Sequence, residues 1–488
     1  MRKLSARVLV PAGLAAFALA VGVYAAIALT HPRADWMGPV DLRVYRFGGL
    51  IAAHVAPWYN PHRSSPLYDW PGYLNLKFTY TPFAALIFTI LTVPALNLLL
   101  DLSIVVNVAA FLTVIWFTLG GLGREPAERE PGREASRSPA LKRGAIRRPH
   151  ARAGVTLLLA AALFWSEPVQ RTLFLGQIEL VLMALIMWDL CQPDRRRWKG
   201  AGVGLAAGIK LVPLIFIPYL LLTKRWRQAA VASGAFALTV GAGFLALPAD
   251  SARWWFGGVF ARGGRTGFIG WEGNQSLQAI TTRLAGSIAA GHGPWLAAAA
   301  LTLVAGLAAA AAIDRAGYPV AGIVTCAITG LLVSPISWDH HWVWIVPAVT
   351  ALAWYAAGTR GAHRLTLAAL AAGAAVAFGA WPTTWLNGST HGNRFPLGLI
   401  WLPPNTNPGI YYRLGDRPWY PEYHWRGLQL LTGNLYVLTG LLLLAIAVVA
   451  AVRLARTGAT RRGSIRPDRT STASATDAAR STVGAPTT

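Results

Sequence analysis

Four short stretches of this 488-residue chain place ionisable side chains among apolar neighbours. The first is Val40-Asp41-Leu42-Arg43-Val44-Tyr45, with one carboxylate close to a cation and a phenol. Such an acid can act as a general base toward a hydroxyl, and it is also a favoured helix N-cap. The second, Phe78-Thr79-Tyr80-Thr81-Pro82-Phe83, sets Tyr80 beside a proline suited to the first turn of a helix; Lys77 before it serves as an interfacial anchor or a phosphate contact. The third joins Glu167-Pro168-Val169-Gln170-Arg171, Gly176-Gln177, and Lys210 within Gly208-Ile209-Lys210-Leu211-Val212-Pro213. Lys210 has no local partner in its apolar run, so it either snorkels to an interface or faces an anionic ligand. The fourth is Ser334-Pro335-Ile336-Ser337-Trp338-Asp339-His340-His341-Trp342. Asp-His-His suggests a metal, but no third and fourth ligands stand at metal-site spacing, so no metal site is expected. Asp339 can instead keep a neighbouring histidine cationic, which suits a phosphate.

The elements that must position these residues follow from composition. Hydrophobic residues make up 54% of the chain and charged residues 13%, about half the charge of a soluble domain; mean hydropathy is +0.43. A soluble globular enzyme is excluded. Apolar runs of membrane-crossing length recur near 8–29, 80–99, 102–122, 153–167, 172–191, 201–222, 229–247, 294–313, 318–337, 340–357, 365–382 and 433–453. The expected fold is all-α and polytopic, with about 12 transmembrane helices in a domain over 1–456 and a disordered basic tail over 457–488. The first run exceeds a signal-peptide core and reads as a retained span. The net charge of +24 lies largely in segments flanking apolar runs, which fits topogenic charge and anionic lipid rather than nucleic acid. Cys191 and Cys326 both sit in apolar runs, so neither a disulfide framework nor a cysteine metal site is expected.

Positive-inside logic with simple alternation puts three long segments outside: about 31–79, 248–293 and 386–432. Residues 40–51 repeat apolar side chains at helical spacing, as an amphipathic helix on the outer interface would. Alternation also puts 123–152 outside, despite its nine Lys/Arg, together with Arg195-Arg196-Arg197-Trp198-Lys199. A re-entrant segment between 80 and 222 would return both to the cytoplasm. Aromatic groups in the outer loops (Trp58-Tyr59, Trp254-Trp255-Phe256, Trp419-Tyr420) form an interfacial belt or line a cleft for sugars or a lipid tail. Gly273-Asn274-Gln275-Ser276 and Asn387-Gly388-Ser389 contain glycosylation sequons, a pattern common by chance.

The outer side thus collects one carboxylate, several cations, amide side chains and aromatic rings. No phosphate-binding glycine loop for a nucleotide is evident. A sugar carried on a lipid phosphate fits this inventory: its tail stays in the bilayer, and its phosphate departs as a stable anion without needing an acid.

At six places, in order over about 38–350, the chain resembles the actinobacterial polyprenol-phosphate-mannose-dependent α-(1→2)-mannosyltransferases of glycosyltransferase family 87, which have a GT-C fold. The matching stretches are the first, the second extended to Ala84-Ala85, Glu167-Pro168 through Gly176-Gln177, Gly208–Pro213, Asn274-Gln275-Ser276, and Leu332–Trp344. The resemblance implies an inverting transfer of mannose to a phosphatidylinositol mannoside or lipomannan-type acceptor, at the outer face of the plasma membrane and without a cofactor. It assigns Asp41 as the base and His340 and His341 to the donor phosphate. Lys210 and Arg43 are further phosphate candidates. Tyr45, Tyr80, Gln177, Asn274, Gln275, Ser276 and Asp339 are candidates for substrate contact. Thr81 stands where the family often has proline, and Asp339 where some relatives are neutral. Two alternatives stay open: a decaprenyl-phosphate-arabinose-dependent transfer within the same family, and a glycolipid flippase.

Overall fold

The computed structural model describes residues 6–30, 37–54, 66–69, 76–125, 148–262, 265, 267–381, 398–404, 413–414 and 417–463. In chain order the helices are α1 (Ala6–Thr30), α2 (Val40–Ala52), α3 (Pro82–Phe88), α4 (Leu96–Leu122), α5 (Pro149–Leu163) and α6 (Glu167–Leu175). There follow α7 (Glu179–Leu190), α8 (Ala201–Ile209), α9 (Phe216–Leu222), α10 (Trp226–Ala246), α11 (Pro248–Trp255) and α12 (Leu277–Ala285). The last are α13 (Ile288–Arg315), α14 (Pro319–Val333), α15 (Ile345–Gly358), α16 (Gly361–Ala377) and α17 (Leu435–Gly463). A two-residue antiparallel pair, Arg413–Leu414 with Arg417–Pro418, is the extended structure among the described residues.

Proline in the first turn starts α3, α5, α6, α11 and α14, where its missing N–H costs nothing and its fixed φ suits a helix. Among the described residues five helices, α1, α4, α10, α13 and α17, are long and apolar enough to cross a bilayer. A sixth crossing is counted if α6 and α7, bent by 119° at their junction, form one span. Leu19, Leu238, Leu245, Leu301 and Val304 on these helices are largely exposed, an apolar girdle that only lipid can cover. The molecule is a multi-pass membrane protein.

Two apolar runs depart from the expected spans. The run 80–99 becomes α3 and a 3-10 turn, Thr89–Thr92, that folds back beside α2: Arg46 donates to the carbonyls of Leu91 at 3.2 Å and Thr92 at 3.4 Å. The run 201–222 breaks at Lys210, whose backbone is extended (φ −139°, ψ 129°), and a second 3-10 turn, Val212–Ile215, leads into α9. The physical reason is the same in both. Pro94, just after the first 3-10 turn, and Pro213 punctuate runs whose hydropathy alone reads as continuous.

The basic connections gather at one end of the bundle. Arg124 donates to the carbonyl of Cys191, and Glu125 accepts from Val320 N at 3.3 Å and from Tyr355 Oη at 3.1 Å. Arg225 bridges Asp314 at 2.7 Å and Asp194 at 3.3 Å, and Lys199 reaches Asp194 at 2.7 Å. The chain near 124, 191–200, 223–227, 314–320 and 355 therefore shares that end. The run 201–222 leaves it and returns to it, with Lys210 at the far tip. This is the re-entrant arrangement that places 123–125 and 191–200 on the same side as 223–227. α17 runs on to Gly463, past the expected domain end at 456, while 464–488 lie outside the described residues. Trp58, Tyr59 and Asn387 also lie outside them.

Candidate active site

The residues singled out in the sequence meet at the opposite end of the bundle. α2 begins at Val40 with Pro39 as its N-cap and no side-chain cap bond. Asp41 is therefore not the cap that its residue type suggests; it stands in the first turn, where the helix dipole favours an anion. Its carboxylate accepts a hydrogen bond from Gln177 and faces His340, Lys210 and Arg171. Burial lifts the Asp41 pKa above the ordinary aspartate value, and these neighbours only partly offset that.

Gln177 is held from its other side. Its Oε1 accepts from Tyr45 Oη, which lies 2.8 Å from Tyr80 Oη. A relay of two phenols and an amide thus fixes which face of Gln177 reaches Asp41. The turn carrying Gln177 exists because Gly176 adopts φ +68°, closing α6 in a left-handed cap. A Cβ at Gly176 would stand 2.7 Å from Leu42 Cβ, so the turn packs directly on α2. Thr81 serves the frame in two ways. It caps α3 by accepting from Ala84 N at 3.1 Å, and it donates to the carbonyl of Gly208, tying α3 to α8 below Lys210.

The cationic side of the site is built around the 3-10 turn Asp339–Trp344. Asp339 accepts from Arg171 Nε at 2.9 Å and from its neighbour His340, both through the backbone N at 2.8 Å and with ring Nδ1 at 3.0 Å. Burial pushes Asp339 up, but Arg171 and the His340 hydrogen bond hold its carboxyl well below the usual range. Lys210 Nζ contacts Glu179 and lies 2.9 Å from His341 Nε2. Lys210 therefore does not snorkel; it points into the site. Its ammonium is also 5.6 Å from the Tyr80 ring centroid.

Three sequence-derived substrate candidates belong to the frame instead. Asn274, Gln275 and Ser276 are fully buried. Asn274 donates to Ile269 O at 3.0 Å and accepts from Ser337 N at 2.9 Å; Gln275 donates to the carbonyls of Glu272 at 2.6 Å and Gly433 at 2.8 Å. Ser276 caps α12 at Ala279 N, 3.1 Å away. Except for Gln275 Oε1, their polar atoms bond to backbone and hold the 338–341 turn, and the buried Asn274 is closed to glycosylation. Arg43 is part-buried on α2 and is not among the charges acting most on Asp41. Arg171 takes that place. Arg171 stood in the third stretch without an assigned role, and Glu179 is the group that sequence reasoning missed. Glu179 also supplies the third donor that the sequence spacing lacked: its carboxylate stands beside the two histidines, with the three donor atoms within 4.8 Å of one another. Glu167, buried beneath Arg171, accepts from Trp401 Nε1 at 3.0 Å and Tyr436 Oη at 2.9 Å. These bonds join the C-terminal part of the chain to the site.

Residues 78–335 match the model of glycosyltransferase family 87. This stretch includes Arg171, Gln177, Glu179 and Lys210, while Asp41 and the 339–341 turn flank it. One relative is the polyprenol-phosphate-mannose-dependent alpha-(1-2)-phosphatidylinositol pentamannoside mannosyltransferase of Mycobacterium tuberculosis, 31% identical over 86% of this chain and 85% of its own length. The protein of the same name from Mycolicibacterium smegmatis is 31% identical over 87% of this chain and 90% of its own. A phosphatidylinositol mannoside mannosyltransferase of M. tuberculosis, also polyprenol-phosphate-mannose-dependent, is 32% identical over 64% and 69%. No solved structure matches significantly. The family match spans more than half of the chain and the 31%-identical relatives cover most of both lengths, so the chain belongs to glycosyltransferase family 87.

Proposed function

We propose that this glycosyltransferase moves mannose from polyprenyl-phosphate-mannose to a hydroxyl of a mannosylated phosphatidylinositol or lipomannan-type acceptor, forming an α-(1→2) linkage at the outer face of the plasma membrane. The relatives' donor and acceptor supply the substrate classes, and family membership leaves the flippase reading without support. The observation that carries the chemistry is Asp41, held by Gln177 and surrounded by His340, Lys210 and Arg171.

In this reading Asp41 accepts the proton of the acceptor hydroxyl as its oxygen attacks C1 of the β-linked mannose. The new C1–O bond forms while the bond from C1 to the phosphate oxygen breaks, and the electron pair leaves with polyprenyl phosphate. Inversion gives the α product. Lys210, with His340 and His341 beside it, stabilises the departing phosphate, a role for a preorganised cation in a poorly hydrated site. Tyr45 and Tyr80 orient Gln177 and hence the base. Asp339 and Arg171 position His340 rather than touch substrate.

The outer-face assignment rests on the positive-inside rule. Exposed Arg195, Arg196, Arg197, Lys224 and Arg227 share the end opposite the site, so that end is cytoplasmic and the site faces out. The fuller topology that goes with this reading has about 12 traverses within residues 1–456, with the long outer segments around 31–79, 248–293 and 386–432.

The test is transfer from labelled polyprenyl-phosphate-mannose in membranes supplied with phosphatidylinositol mannosides. Wild type yields a product cleaved by an α-(1→2)-mannosidase. Correctly inserted Asp41→Asn loses about 10²–10⁴-fold in rate, the usual contribution of a general base. Wild-type turnover by Asp41→Asn would remove Asp41 from the mechanism.

A further inference from the structure

Lys210, Glu179, His340 and His341 form a cluster whose geometry goes beyond phosphate binding. Glu179 Oε1 and one nitrogen of each imidazole lie within 4.8 Å of one another, and His341 Nε2 is 3.5 Å from Glu179 Oε1. Two imidazoles and a carboxylate are the donor set of zinc and related first-row divalent ions. His340 is 4% exposed and its Nε2 has no hydrogen-bond partner among the described residues. With Nδ1 committed to Asp339 at 3.0 Å, Nε2 is the ring nitrogen left to a ligand. A carboxylate behind a histidine in this way is the usual second layer of a metal site.

A cation already stands between two of these donors. Lys210 Nζ contacts Glu179 and sits 2.9 Å from His341 Nε2. An ammonium has only donors, so His341 Nε2 accepts, leaving its proton on Nδ1. This is the tautomer a metal-ligating Nε2 also needs. The lysine can occupy this place because α8 ends one residue earlier and the extended backbone at Lys210 turns the side chain inward from the tip of the 201–222 excursion.

We propose that Glu179, His340 and His341 form a latent divalent-metal site whose seat is held by the Lys210 ammonium, which serves as the enzyme's built-in cation. The consequence for turnover rests on the mannosyl-transfer reading; the binding itself does not. Co²⁺ is the probe, added to the purified full chain in lipid nanodiscs, because its visible absorption reports tetrahedral nitrogen and oxygen ligation. Wild type binds no stoichiometric Co²⁺. Lys210→Met and Lys210→Ala each bind one per chain with the ligand-field bands of a four-coordinate site. His340→Ala added to Lys210→Met abolishes those bands, and Asp339→Asn added to it weakens binding roughly 10- to 100-fold.

Folded Lys210 variants that bind no more Co²⁺ than wild type would overturn the proposal, as would wild-type binding that His340→Ala removes. A second measurement needs no variant. Wild-type transfer stays unchanged after a strong chelator and on adding Mg²⁺, Mn²⁺ or Zn²⁺; chelator inactivation reversed by a divalent ion would overturn the built-in-cation role. Loss of transfer activity in every preparation, with the Co²⁺ results intact, would count against the mannosyl-transfer reading alone.

Discussion

In the proposed mechanism Asp41 serves as base only when ionised, and its surroundings make ionisation harder than in water. Burial raises its pKa; His340, the Gln177 hydrogen bond, Lys210 and Arg171 pull it back without restoring the ordinary value. The acid limb of kcat/KM therefore falls above the ~3.9 of an unperturbed aspartate. Gln177→Leu removes an N–H that favours the carboxylate, so the limb moves to still higher pH. Tyr45→Phe leaves that N–H in place and moves the limb less. A pH profile of transfer for the three proteins checks this, and an unmoved limb in Gln177→Leu would show that the amide does not tune Asp41. The sign for stability is opposite. A folded-state pKa above the unfolded one makes protonated Asp41 the stabilising form, and that contribution is lost as pH rises through the folded value. A melting series in detergent should thus show stability and activity diverging across the same pH window.

Helix α2 carries Asp41, and its seat is set by a backbone contact. A Cβ on Gly49 would run into the Phe88 carbonyl, 2.6 Å from its carbon and 2.9 Å from Thr89 N. No rotamer relieves that, so Gly49→Ala must lift α2 from the turn after α3. Overpacking of this kind costs about 1–3 kcal/mol, and a base displaced by ~1 Å loses on the order of 10²-fold in rate. Gly234→Ala in α10, where a Cβ meets nothing within 4 Å, is the control. Equal transfer rates for the two would show that the seat of α2 is not critical. Much of this element was readable beforehand: the apolar spacing of 40–51 gave the helix, and Pro82 gave the start of α3. Contacts between distant segments were not. Residue type made Asp41 a cap, whereas Pro39 takes that position; residue type made Asn274, Gln275 and Ser276 sugar ligands, whereas backbone carbonyls and N–H groups absorb them. Glu179 passed as an ordinary helix charge and Arg171 stood without a role because their partners, Lys210, His341 and Asp339, lie far along the chain. Hydropathy likewise saw 201–222 as one span. The break becomes legible only when Lys210 and Pro213 are read together as a charge and a helix breaker at mid-run.

At the scale of the whole molecule, the two ends of the bundle carry different kinds of charge. The site end buries charges in pairs, Arg171 with Asp339 at 2.9 Å and Lys210 with Glu179, and exposes fewer cations, Arg253 and Arg262 among them. The other end holds a paired cluster around Asp194 and Asp314, but also exposes Arg196, Lys224, Arg227, Arg360 and Arg364. Loops rich in unneutralised Lys and Arg are retained in the cytoplasm, and anionic lipid headgroups there attract them further. Single-cysteine reporters separate the two ends. Arg196→Cys sits in the α7–α8 connection, and Arg262→Cys lies at the site end, three residues before Arg265, which donates to Tyr68 O at 3.0 Å. Both positions are exposed, and the native Cys191 and Cys326 are buried, so background labelling is low. A membrane-impermeant maleimide added to intact cells should label Arg262→Cys and leave Arg196→Cys unlabelled until the membrane is opened. The reverse pattern would put Asp41 in the cytoplasm, where acceptor and lipid-linked donor would have to present their sugars to the inner leaflet. The same orientation explains why the chain makes its 201–222 excursion from the basic side. Under the proposed orientation, a segment anchored at both ends in the basic cluster carries Lys210 to the outer mouth, beside Glu179 and His341, without any part of its own loop crossing into the outer aqueous phase.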